Sequence, residues 1–209
     1  MTSWHGHLLN WNMSEWHESL LDRIELRLHG FESVLDIGCG DGLDVALFAS
    51  EAALAVGVDL RIQPSDVPAK KAHLVKAHAS YLPFRDGIFD VVFEKDALHH
   101  MGDVAGTLRE SLRVKKKDGR FVAFEANRYN PAMYLRMTLL LGHEHMARPA
   151  FENIIASCFP SAKIECIECR AYPLQRGTLL RAVRLVERLI ARIPLIRLYL
   201  SYNVAVVSG

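Results

Sequence analysis

Apolar residues in this chain fall into short, continuous runs separated by stretches with a helical period. Ser33 to Ile37 (SVLDI), Leu54 to Leu60 (LAVGVDL), about His73 to Ala77, Phe89 to Phe93 (FDVVF) and Arg120 to Ala126 have the length and density of buried strands. Between them lie helical patterns. Trp11 to His29 carries apolar or aromatic residues at 13, 16, 20, 21, 24 and 28, with Ser14 as N-cap and Gly30 as stop. Leu43 to about Ala53 and Gly106 to Val114 read as two more helices. A sixth strand is expected at about Lys163 to Ala171 and a last one at about Tyr202 to Val207. Strands alternating with helices at these spacings predict an α/β fold with a mostly parallel, doubly wound sheet.

The junction after the first strand carries the chemistry. In SVLDIGCGDG, Asp36 stands near the strand's end, and Gly38, Gly40 and Gly42 then remove the Cβ atoms that would obstruct a tight turn and an approaching ligand. The amides opening the next helix favour a polar group. A carboxylate beside the loop repels a diphosphate and suits an ammonium or sulfonium ligand. Asp59 ends the second strand 17 residues after Gly42, a distance that allows one helix and a return to the adjacent strand, so its carboxylate reaches two ribose hydroxyls.

This Asp36-x-Gly38-x-Gly40-x-Gly42 spacing resembles the first motif of the class I S-adenosylmethionine-dependent methyltransferases, and the small-molecule type 11 group in particular. Leu82-Pro83-Phe84, the turn at Arg85-Asp86-Gly87 and the strand from Phe89 resemble that class's third and fourth motifs, and the likeness runs from about Val34 to Glu125. The resemblance implies a Rossmann-like sheet of about seven strands with helices on both faces and an antiparallel last strand. It also implies S-adenosyl-L-methionine as cofactor. The matching cofactor positions are Asp36, Gly38, Cys39, Gly40, Gly42, Asp59, Leu60, Ala79, Ser80, Tyr81, Glu94 and Lys95, with Cys39 a small filler in the turn. Where many relatives have an acid for the adenine amino group, this chain has His78 or Ala79. Adenine then falls to the backbone of Ala79 and Ser80 and to packing against Leu60 and Tyr81. Lys117-Asp118-Gly119 stands where the family has Lys-Pro-Gly-Gly, and the lysine run is read as a solvated turn.

Composition narrows the class further. At 209 residues and 50% hydrophobic content the chain suits one domain, 1–209, with an N-terminal helical cap over 1–30 and substrate-side insertions at 127–159 and 172–200. Arginines interrupt every apolar stretch before a membrane span's length. The start, with Trp4, His5 and His7, has no apolar core after a basic segment, so no secretory leader is expected. Four cysteines, Cys39, Cys158, Cys166 and Cys169, are no disulfide framework, and a reducing, cytoplasmic setting fits. Cys166-x-x-Cys169 lies on an alternating strand that turns its thiols to opposite faces, which argues against zinc there. Net charge is +1 but uneven: residues 1–100 carry 8 basic and 15 acidic residues (−7), and residues 101–209 carry 17 and 9 (+8). The back half therefore suits anionic partners or surfaces.

Substrate choice belongs to that back half. Asn130-Pro131 leads a loop into a helix, and His143-x-His145 reads as a polar loop, so no metal is expected. From Arg170 to Arg197 there are seven arginines, no lysine and one acid, Glu187. Arg181, Arg184, Arg188 and Arg192 share one side of a helix ended near Pro194, and Leu179, Val183, Val186, Leu189, Ile190 and Ile193 share the other. Either this helix packs its apolar side on the sheet beneath a solvated arginine face, or the arginines meet anionic lipid or a phosphorylated substrate.

Methyl transfer to an oxygen or a protonated nitrogen needs a base, and His100, then His99, follow the fourth strand at the mouth of the expected crevice. Asp96 is a further candidate. Trp11, Trp16 and His17 either close over the cofactor and exclude water or pack as an ordinary aromatic helix. Three functions stay open: methyl transfer to a small or lipid-like acceptor bearing phosphate or sugar, a non-catalytic cofactor-binding accessory or regulatory protein, and an RNA methyltransferase. Against RNA, Glu94-Lys95-Asp96-Ala97 replaces an Asn-Pro-Pro-Tyr type tetrapeptide.

Overall fold

The computed structural model describes residues 13–62, 71–140, 142–143, 145–168 and 177–208. In chain order the elements are α1 (Met13–Arg23), β1 (Ser33–Ile37), α2 (Leu43–Glu51), β2 (Leu54–Asp59), β3 (Ala72–Lys76), β4 (Phe89–Lys95), a 3₁₀ turn (Leu98–His100), α3 (Val104–Val114) and β5 (Lys115–Ala126). After these come α4 (Pro131–Met133), which runs on as a π-helix (Tyr134–Leu140), α5 (Arg148–Cys158), β6 (Lys163–Ile167), α6 (Thr178–Ile190), α7 (Pro194–Arg197) and β7 (Tyr202–Ser208). One seven-stranded sheet has the order β3-β2-β1-β4-β5-β7-β6. Its first five strands pair in parallel, and β7 lies antiparallel between β5 and β6.

Alternate strand residues point to opposite faces, so the continuous apolar runs feed two cores. Val34, Phe93 and Phe124 pack under α1 and α2 with Trp16, Leu20 and Phe48. Leu35, Ile37, Val92 and Phe121 pack under α3 and α5 with Leu108, Phe151 and Ile155.

Three expectations need correction. The first helix is already formed at Met13, ahead of Ser14, and stops at Arg23 instead of reaching His29. Glu25 takes a left-handed φ of 53°, and the turn it makes sinks Leu26 into the core. Second, Lys115 to Gly119 is a bulge inside β5, where Phe89 pairs Lys115 and Val91 already pairs Arg120. Lys115 is buried and its ammonium donates to the carbonyls of Lys116 (2.9 Å), Lys117 (3.3 Å) and Gly119 (3.0 Å), so it closes the bulge where a solvated turn was expected. A Cβ on Gly119 would lie 2.8 Å from the Asp90 carbonyl oxygen.

Third, α6 is turned over. Leu180, Arg184 and Glu187 are its buried residues, while Leu179, Leu185, Val186, Leu189 and Ile190 are exposed. Arg184 therefore leaves the outward arginine group. Glu187 accounts for the orientation: it pairs Arg184 at 3.3 Å and Arg23 of α1 at 3.9 Å, so the helix docks through ions. The apolar face continues through Ile193, Leu195, Ile196 and Leu198, all exposed. Among the described residues, no helix is long and apolar enough to cross a membrane.

Candidate active site

The strand order reverses between β1 and β4, which opens a crevice at the carboxyl ends of β1, β2 and β4. Gly38, Gly40 and Gly42 there have φ of 77°, 56° and 81°, the left-handed region that glycine enters without cost. A Cβ on Gly38 would lie 2.5 Å from the Ala97 Cβ, so the loop sits directly under the segment carrying His99 and His100. The loop amides are spent internally. Gly38 and Cys39 N–H donate to the Val58 carbonyl (2.8 and 3.1 Å), Gly40 N–H to Asp59 Oδ2 (3.0 Å) and Gly42 N–H to the Cys39 carbonyl (2.9 Å). Leu43 N–H donates to Asp41 Oδ1 (3.3 Å). This differs from an open ring of donors and leaves the loop's carboxylates to set the ligand's charge. Cys39 turns its sulfur toward β2, where a Cβ on Gly57 would come within 2.7 Å of it, so the thiol fills the turn.

Asp36 is 3% exposed, and its Oδ2 has no hydrogen-bond partner among the described residues. Burial, then the nearby Asp44 carboxylate, push its carboxyl well above the usual range, while Lys95 pulls the other way. A cation brought to Asp36 would relieve both. Asp59 lies at the crevice rim, and each of its oxygens accepts one backbone N–H, from Gly40 and from Arg61 (2.7 Å), which leaves further lone pairs for hydroxyls. An orphaned buried carboxylate, a rim carboxylate and a bare loop between them fit an adenosyl cofactor bearing an ammonium and a sulfonium.

The adenine side is more open. Leu60 and Tyr81 are exposed beside the rim, and the Ser80 N–H is engaged by His78 Nδ1 at 3.1 Å, which withdraws it from a ligand. Ser80 Oγ is turned inward to the Asp103 carbonyl (3.1 Å). Glu94 is wholly buried and accepts from Ser111 Oγ of α3 at 2.7 Å, with burial lifting its carboxyl to about 8. Its Oε1 thus ties β4 to α3, while its Oε2 is buried with no hydrogen-bond partner among the described residues. Lys95 pairs with Asp44 of α2 and stands 4.3 Å from the ring centre of buried Trp16. Burial works against the Lys95 ammonium, and Asp44 outweighs it. Trp11 and the side chain of His17 lie outside the described residues.

At the crevice mouth the chain gathers four imidazoles. Asp96, with a φ of 50°, starts the turn into Leu98–His100. Its carboxylate accepts from the Ala126 N–H (3.1 Å) and the Tyr202 hydroxyl (3.3 Å), which makes it an anchor for the turn; burial and Glu125 lift it to about 6. His99 Nδ1 bonds Glu125 Oε2 of β5 at 2.6 Å, and Glu125 is wholly buried. That partner raises the His99 ring against the effect of burial. His100 lies 4.0 Å from His99 and 5.6 Å from His143, ring centre to ring centre, and burial with both neighbours lowers it. His145 lies 4.8 Å from His99, ring centre to ring centre, with the rings tilted, and burial takes it down to about 4. His143 and His145 are therefore part of the site and not a remote polar loop. Glu125 escaped the sequence reading, although an acid at the end of a buried apolar run is the same signal that marked Asp36 and Asp59.

A methyltransferase-domain family model matches residues 35–123. Demethylmenaquinone methyltransferases are similar: that of Mycolicibacterium gilvum is 31% identical over 157 residues, covering 74% of this chain and 68% of that protein. That of Corynebacterium kroppenstedtii is 30% identical over 154 residues, covering 73% and 66%. The chain thus spans about two thirds of their length. The crystal structure of an S-adenosylmethionine-dependent methyltransferase from Archaeoglobus fulgidus superposes with a TM-score of 0.63 at 19% identity, covering 94% of both chains.

Proposed function

The chain belongs to the class I S-adenosylmethionine-dependent methyltransferases, and on that premise we propose that its acceptor is a hydrophobic, lipid-soluble small molecule met at an anionic membrane surface. S-adenosyl-L-methionine, when bound, supplies a methyl group activated on a sulfonium. The chain's own contribution is placement: Asp36 holds the cofactor's cationic end, Asp59 its ribose, and the Gly38 to Gly42 loop lets it lie against backbone. Fixing donor and acceptor in line supplies about 7 to 11 kcal/mol of such a barrier. An acceptor hydroxyl, or a carbon activated by one, must also give up a proton, and His100 at the crevice mouth is the group assigned to take it. The His99–Glu125 pair holds the neighbouring ring in place.

The observation that carries the acceptor class is the outward apolar face of α6 and α7, with Leu179, Leu185, Leu189, Ile193 and Leu195 exposed. Exposed Arg181, Arg188 and Arg192 stand beside it, and the sole acid of the segment, Glu187, is buried. A large apolar moment rimmed with arginine is the pattern of a helix lying in an anionic lipid interface. The relatives named for demethylmenaquinone, a lipid-soluble quinone, agree with that class. The test is to incubate the protein with methyl-labelled S-adenosylmethionine and a bacterial lipid extract, with Asp36→Asn as control. Label is expected in a non-phospholipid component of the organic phase and absent with the variant. Label confined to water-soluble, RNA or protein fractions would overturn the acceptor class.

A further inference from the structure

We propose that His99, His100 and His143 form a binding site for a divalent transition-metal ion of the zinc class, with Glu125 as the carboxylate behind His99. One ring nitrogen from each of the three lies within 4.8 Å of the others. Tetrahedral zinc, with bonds of about 2.0 Å to imidazole nitrogen, needs ligand atoms about 3.3 Å apart, so the nitrogens would draw together by up to about 1.5 Å as the ion seats. The ring nitrogens available there are the independent observation. His99 spends Nδ1 on Glu125, and its Nε2 is buried with no hydrogen-bond partner among the described residues. A carboxylate fixing one nitrogen of a histidine so that the other faces a metal is the usual support around such sites. His145, 4% exposed and packed on His99, has both nitrogens buried and unpartnered among the described residues, and it forms with His99 and Glu125 a second group whose ligand atoms lie within 4.8 Å of one another.

Imidazole selects zinc, copper, nickel or iron over magnesium or calcium, and Glu125 with Asp96 nearby supplies carboxylate charge to offset a dication. Three histidines leave a tetrahedral ion one open position, as in catalytic zinc sites. Ala97, two residues before His99, packs against Gly38 of the glycine loop, so an acceptor oxygen bound at that position would sit near the cofactor crevice. The inference deepens the proposed function and rests on its placing the acceptor at the histidine cluster. With an ion seated, His100 coordinates it and gives up the role of base it has in the ion-free site; the acceptor hydroxyl then loses its proton to water, and the ion stabilises the oxyanion that remains.

The test uses tag-free full-length protein stripped with a chelator, then titrated with Zn²⁺ by calorimetry and with Co²⁺ by visible absorption. One tightly bound ion per chain is expected, with the intense d–d bands of tetrahedral cobalt. His143→Ala is expected to weaken binding at least about tenfold, and Glu125→Gln by about 10- to 100-fold. Both variants should keep wild-type affinity for S-adenosylhomocysteine, and His143→Ala remains informative should Glu125→Gln fail to fold. No stoichiometric binding, or binding that His143→Ala leaves unchanged, overturns the site. Because the readout is the ion itself, a failure to methylate lipid acceptors would remove the acceptor class and leave the metal result standing.

Discussion

Asp36 and Asp59 sit on adjacent strands and do opposite kinds of work. Asp59 is a rim carboxylate already bonded to two amides, whereas Asp36 is buried with one oxygen unsatisfied. Burial and Asp44 raise the Asp36 carboxyl well above the usual range, so the cofactor-free protein holds a proton there at pH values where a free aspartate is ionised. A cationic ligand favours the ionised form. Cofactor binding therefore releases a proton in the interval between the ordinary and the raised value, and affinity falls as pH drops through it. Calorimetry of S-adenosylmethionine binding in buffers of different ionisation enthalpy should show that release, and Asp36→Asn should abolish it. A binding enthalpy independent of buffer would contradict the assignment.

At the scale of elements, β1, β2 and β4 were legible because continuous apolar runs can only be buried strands in a doubly wound sheet, and the ends predicted for β1 match the structure. The bulge in β5 was not legible. A run of three lysines reads as solvent-facing, and only the fold shows that Lys115 turns inward to donate to three carbonyls of the bulge. Lys115→Ala should therefore cost about 1 to 3 kcal/mol of stability, since the buried Gly119 carbonyl and two more of the bulge lose their donor. Urea unfolding checks this: a lowered midpoint with unchanged slope is expected, and a wild-type midpoint would show that the ammonium is dispensable. The facing of α6 was hidden for a related reason. Helical periodicity separates its arginine side from its leucine side, but which side turns inward depends on Arg23 from a distant helix meeting Glu187. The histidine cluster combines both cases: His99 and His100 were visible after β4, while their partners come from β5 and from beyond α4.

Over the whole molecule, charge and apolar surface divide the labour. The acidic first half builds the crevice for a cationic cofactor, and the basic second half carries the outward apolar face. A helix that buries its ion pair and exposes leucines gains nothing from water on that side, and on the proposed reading an anionic bilayer would satisfy both its leucines and its flanking arginines. The proposed meeting place of protein and acceptor is therefore the membrane surface. The most direct test is flotation of the protein with vesicles of phosphatidylglycerol and of phosphatidylcholine, alongside a Leu189→Asp/Leu195→Asp variant whose altered residues are solvent-exposed. Strong partition onto phosphatidylglycerol, weak partition onto phosphatidylcholine and loss of both in the variant are the predicted result. Equal recovery of wild type and variant in the unbound fraction of both vesicle types would contradict it.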